Sequence, residues 1–101
     1  MTKTESIARK ILGWKLNRWD RWYDHENELF VDHAEFRPEE NLEHAMLVVK
    51  KLEHLGFKYA VKGDTEVCFN QVCAMGHTLA QAITNAAYLI ADSSSIDDAW
   101  L

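Results

Sequence analysis

The sequence predicts a single α+β domain in which three helices pack around about four antiparallel or mixed strands, in the order α-β-β-α-β-β-α. Three observations carry this. Apolar residues recur at helical spacing in three stretches, aromatic and β-branched residues cluster in two stretches between them, and turn-forming residues mark the boundaries. A chain of 101 residues, 48% hydrophobic and 27% charged, suits one globular core rather than a disordered segment.

The first helix has Thr2 and Glu5 at capping-box spacing. Ile7, Ala8, Ile11 and Leu12 share one face, and Gly13 can take the left-handed conformation that stops a helix. Next comes "WKLNRWDRWY", residues 14–23, where the periodicity changes. It reads as the first arm of a hairpin over residues 15–23, with the second arm at 28–33 and the turn in "DHEN", whose side chains favour reversals.

Pro38 presets a second helix, with Glu39 and Glu40 suited to the positive end of its dipole. Leu42, Ala45, Met46, Val49 and Leu52 form its apolar stripe, Lys50 and Lys51 complement its C-terminal end, and Gly56 stops it. "FKYAVKGDTEVCF" predicts a second hairpin around Lys62, Gly63 and Asp64. Its outgoing arm is expected to continue through "NQVCAM", with a bulge or bend near Asn70 and Gln71, until Gly76 breaks it. Thr78 and Gln81 repeat the capping-box spacing, and Leu79, Ala82, Ile83, Ala86 and Ile90 carry a third helix to about Ala91. Residues 1–92 thus form the domain, and 93–101 a polar, Ser-rich tail ending in the apolar pair Trp100 and Leu101.

A formal charge of -5 and a pI near 5.4 argue against non-specific nucleic-acid binding, which needs an excess of Lys and Arg to displace counterions. A membrane span is not expected either, because no apolar run approaches the roughly 20 residues required. "MTKTESIARK" lacks the apolar stretch of a secretory signal, so Cys68 and Cys73 are expected to be reduced thiols in a cytoplasmic setting.

Three stretches, "ARKILGW", "NLEHAMLVVKKLEHLGF" and "MGHTLAQAITNAAYL", give the chain a likeness that covers most of residues 8–89. It resembles the phage α-β-α sandwich domain family, small proteins encoded by bacteriophages and prophages. The resemblance implies the fold and a phage origin, and with it the cytoplasm of an infected bacterial host. It supplies no catalytic residues, because the family has no established common chemistry.

Function must therefore be read from side chains. In residues 14–23, indole and phenol rings interleave with guanidinium groups, a combination able to sandwich a purine and pair with its phosphates. Against this stands the ordinary use of aromatics as core, with Arg18 and Arg21 covering rings or pairing with Asp20 and Asp24; Trp14, directly after the helix-ending glycine, is expected in the core. His77 precedes Thr78 at the start of the third helix, where exposed amides favour an anion, although a simple cap explains the same residues.

Metal binding is not expected. His44 and His54 lie on different faces of the second helix, and Cys68 and Cys73 would fall on opposite faces of a regular strand. His25, His33 and His77 could act as general bases, with Asp24 or Asp32 orienting one, yet there is no phosphate loop, nucleophile elbow or HExxH motif.

The expectation is a phage accessory protein that binds and sequesters a small anionic, nucleotide-like host defence signal as a homo-oligomer, without catalysis or cofactor. Trp19, Trp22, Arg18, Arg21, His77 and Thr78 are the expected ligand contacts, and Trp100 and Leu101 the expected oligomer or partner contacts. The alternative is a protein-interaction module that uses the Trp-rich hairpin or the C-terminal tail, and a nucleotide-processing enzyme comes third.

Overall fold

The first helix begins as its sequence predicts: the Thr2 hydroxyl accepts the Glu5 amide at 3.1 Å. The structure, a computed structural model, describes residues 2–24, 28–63 and 65–92. The expected tail contacts Trp100 and Leu101, together with His25 and Asp64, lie outside the described residues. Helix α1 covers Lys3–Ile7 and widens into a π-helical turn over Ala8–Leu12. Gly13, at φ 72°, closes it, and the Trp14 amide donates back to the Ala8 carbonyl. Only a residue without a side chain enters that left-handed region at no steric cost.

The expected first arm is not one strand but a hairpin of its own. Strands β1 (Lys15–Leu16), β2 (Arg21–Asp24) and β3 (Leu29–Asp32) form an antiparallel sheet in that order. The turn between β1 and β2 is built by Asn17, whose Oδ1 accepts the amides of Trp19 at 2.9 Å and Arg21 at 3.0 Å, while Asp20 takes a positive φ of 57°. Side chain to backbone bonding of this kind reverses a chain without glycine or proline.

Helix α2 spans Leu42–His54, starting later than Pro38 suggests. Asn41 is the cap: its Oδ1 accepts the amides of Glu43 and His44, and residues 38–40 form a preceding turn. The carboxamide offers first-turn amides an acceptor that proline lacks.

The second half repeats the scheme. Strands β4 (Tyr59–Lys62), β5 (Glu66–Phe69) and β6 (Val72–Met75) make another antiparallel sheet of three, so the described residues form six strands in two sheets rather than about four in one. The bend expected near Asn70 and Gln71 is a full reversal. Asn70 adopts φ 56° and clasps Lys58 twice, its amide donating to the Lys58 carbonyl and its Oδ1 accepting the Lys58 amide. Consequently Cys68 and Cys73 stand directly opposite each other on β5 and β6 and are joined as a disulfide. The expectations of opposite faces and of free thiols are both corrected by that turn.

Helix α3 (Leu79–Asp92) opens on the predicted cap, with the Gln81 amide donating to Thr78 Oγ1 at 3.1 Å. Its alanines 80, 82, 86, 87 and 91 are buried, which lets α1, α2, β5 and β6 approach its backbone closely. Val67 and Phe69 of β5 join the same core, as do Trp22 of β2 and the tilted pair Trp14 and Phe36, whose ring centroids are 4.9 Å apart. Burial of such apolar surface, at about 25 cal/mol per Å², is the main term holding the two sheets to the helices.

Candidate anion-binding cleft

The expected binding stretch is divided by strand geometry. In β2 successive side chains alternate faces, so Arg21 points outward and Trp22 inward. Trp22 is 0% exposed, stacks on the His33 ring at 5.9 Å and is covered by the Arg9 guanidinium at 5.5 Å. It cannot stack on a ligand; it is core. Its indole Nε1 is the one buried side-chain polar atom without a partner among the described residues.

Trp19, at the tip of the turn, is 68% exposed, and the Arg18 guanidinium lies over its ring at 4.7 Å. The pair faces solvent. At the other end of the same sheet, opposite Asp24 and Tyr23, Leu29 and Phe30 of β3 are also exposed, on a strand whose outer edge pairs with no described strand.

His77 and Thr78 sit elsewhere, at the start of α3, beside an open hollow lined by Lys3, Met75, Gly76, His77, Gln81 and Asn85. Its polar groups are largely engaged. The His77 amide donates to Gln81 Oε1 at 2.6 Å, Lys3 Nζ to Asn85 Oδ1 at 3.0 Å, and Asn85 Nδ2 to the Met75 carbonyl. No residue of the Trp-rich turn lines this hollow.

The general-base candidates separate likewise. His33 Nε2 lies 3.4 Å from Glu5 Oε1, not beside Asp32, whose Oδ1 accepts the Ala34 amide and fixes a turn. The His33–Glu5 contact ties α1 to the turn that follows β3. Tyr59 has its phenol pKa raised, first by burial and then by the Glu53 carboxylate.

A different cleft combines an apolar floor with cationic groups. Its volume is about 340 Å³, and its lining is Leu12, Trp14, Asp24, Leu47, Lys50, Lys51 and His54. Three elements build it. The first helix delivers Leu12 and Trp14 across the Gly13 stop, β2 delivers Asp24, and α2 presents Leu47, Lys50, Lys51 and His54 from its last two turns. Lys50 and His54 are one turn apart and share a side of the helix. In the sequence, Lys50 and Lys51 read only as partners of the helix dipole. The i, i+4 spacing of Lys50 and His54 is the available signal, but Leu12 and Trp14 of the floor come from a distant part of the sequence.

The phage ABA sandwich domain matches residues 5–88. The chain belongs to the phage ABA sandwich domain family. The match runs from α1 to the penultimate turn of α3, so it takes in both three-stranded sheets and all the residues of the cleft. No curated protein and no solved structure matches the chain. Among the described residues of this family member, no helix is long and apolar enough to cross a membrane.

Proposed function

We propose that this phage domain binds a small anionic, nucleotide-like ligand, a host defence signal, without transforming it, and that the site is the cleft between β2 and α2. The observation that carries the reading is the pairing of an apolar floor, Leu12, Trp14 and Leu47, with Lys50, Lys51 and His54 in one cleft of about 340 Å³. That volume is in the usual range for small-molecule sites, where apolar walls take the body of a ligand and a few polar groups fix it. A base would rest on the apolar floor and a phosphate would meet the Lys50 ammonium beside His54. Sequestration needs affinity alone, so no proton-transfer pair is required.

Self-association belongs to the same reading and is supported by β3, an edge strand with Leu29 at 57% and Phe30 at 58% exposure. Apolar side chains on an open edge invite pairing with a second copy. At the opposite end of that sheet, the exposed Trp19 ring with Arg18 over it supports the second reading, an interaction module for a host or phage protein.

Calorimetry with linear and cyclic nucleotides, followed by chromatography of the recovered ligand, tests the proposal. Saturable heat with ligand returned intact supports sequestration. Conversion of the ligand sinks the non-catalytic claim, and silence across the panel moves the function to the exposed Trp19 turn.

A further inference from the structure

The outer face of the second sheet carries a cluster that the anion cleft does not use. Directly opposed residues in an antiparallel pair share a face, as do residues two apart in a strand. Cys68 opposes Cys73 and Glu66 opposes Met75, so these four side chains form one square patch. The ligand atoms of Glu66, Cys68 and Cys73 all lie within 4.8 Å of one another. On the other side of β5, Lys62 pairs with Glu66, placing an ammonium on the same face as the carboxylate.

The disulfide closes a very short loop, with a sequence separation of 5 and a Cα separation of 4.0 Å. The β5–β6 ladder and the Asn70 clasp on Lys58 already hold that loop, so cross-linking it removes little further chain freedom. The same backbone therefore keeps the two sulfurs together when they are reduced.

We propose that Glu66, Cys68 and Cys73 form a redox-gated site for one zinc-class divalent ion: blocked in the disulfide state and available after reduction. A dithiol reductant attacks the Sγ–Sγ bond, forms a mixed disulfide, and leaves as its own disulfide. Two electrons and two protons pass to Cys68 and Cys73 in that exchange. The ion then displaces both thiol protons. Zinc–sulfur bonds of about 2.3 Å in a tetrahedron set the sulfurs roughly 3.8 Å apart, a separation that opposed cysteines on neighbouring strands reach by side-chain rotation. Glu66 supplies an oxygen, and the fourth position is left to water or to the thioether of Met75 on the same patch. Two thiolates select a zinc-class ion over magnesium or calcium.

The test uses the full chain, reduced with a phosphine and titrated with Co²⁺ under argon while far-UV circular dichroism follows the fold. The expected result is one Co²⁺ per chain with a sulfur-to-cobalt charge-transfer band, displaced by Zn²⁺ and absent from the oxidised protein. Cys68→Ser with Cys73→Ser abolishes the band, and Glu66→Gln keeps it with at least tenfold weaker affinity. If the reduced chain unfolds and the ion restores its dichroism, the site stands. No band in reduced protein, folded or unfolded, overturns it, as does a band that survives loss of both cysteines. Nucleotide binding plays no part in the readout, so this outcome and that of the anion cleft are distinguishable.

Discussion

Removing the Trp22 ring destabilises the fold, whereas removing the Trp19 ring three positions earlier scarcely does. Trp22 is wholly buried, so Trp22→Ala loses the transfer energy of an indole and leaves a cavity, together worth about 3–5 kcal/mol at such sites. Its Nε1 has no partner among the described residues, and the cost of about 1–3 kcal/mol for burying an unpaired donor is relieved with the ring. Setting about 4 kcal/mol for the lost ring against about 1 kcal/mol for the relieved donor leaves an expected net loss of about 3 kcal/mol. For a domain near 100 residues this lowers Tm by roughly 12–24 °C, since each kcal/mol is worth about 4–8 °C. Trp22→Phe removes the orphan donor while keeping an aromatic ring, and costs about 1 kcal/mol or less. Trp19→Ala gives up only an exposed contact with Arg18, worth about 0.5–1 kcal/mol. Urea unfolding followed by dichroism and tryptophan emission measures all three. A loss below about 1 kcal/mol for Trp22→Ala, or one above about 2 kcal/mol for Trp19→Ala, refutes the assignment of core and surface.

Lys50→Ala weakens nucleotide binding about tenfold by calorimetry, the value of one exposed charge-assisted hydrogen bond, with Trp19→Ala as the control that leaves it unchanged. Gly76→Ala destabilises by about 1–3 kcal/mol in thermal melts, because a Cβ there would meet the Ala82 amide nitrogen at 2.6 Å and the Gln81 carbonyl carbon at 2.9 Å, backbone atoms that cannot step aside. Asn41→Ala costs about 1 kcal/mol through the lost cap of α2, read from the urea midpoint. The Tyr59 phenol, held above its ordinary 10.0 by burial and then Glu53, keeps its proton more tightly folded than unfolded. Its contribution is intact below about pH 10 and is lost as pH rises through the raised value, so Tyr59→Phe flattens the alkaline decline in stability measured across that range.

Much of this architecture is written in local patterns. Thr2 with Glu5, Gly13, and Thr78 with Gln81 do in three dimensions what their spacing predicts, because a helix cap depends on residues within one turn. The buried stripes of α2 and α3 follow from 3.6-residue periodicity for the same local reason, except that Leu42, at the head of the expected α2 stripe, is exposed in the first turn. The two missed reversals turn on asparagines. Asn17 and Asn70 fold the chain back through side-chain acceptors, and neighbouring aromatic or apolar residues disguise both turns as strand. Each error merged two strands into one, and the second also hid the pairing of Cys68 with Cys73. The ligand site was legible only in fragments. Alternation in β2 could have separated Arg21 from Trp22, but the meeting of Leu12, Trp14 and Asp24 with Lys50 and His54 is a product of tertiary packing, which no spacing records.

A nitrogen-15 correlation titration with the nucleotide that gives the largest calorimetric heat locates the ligand residue by residue. Binding in the β2–α2 cleft shifts the Trp14 indole signal and the amides of Leu12, Leu47, Lys50, Lys51 and His54, and leaves those of Arg18, Trp19, His77 and Thr78 in place. Shifts concentrated at the turn carrying Trp19, or at the start of α3, with the cleft signals unmoved, contradict the assignment.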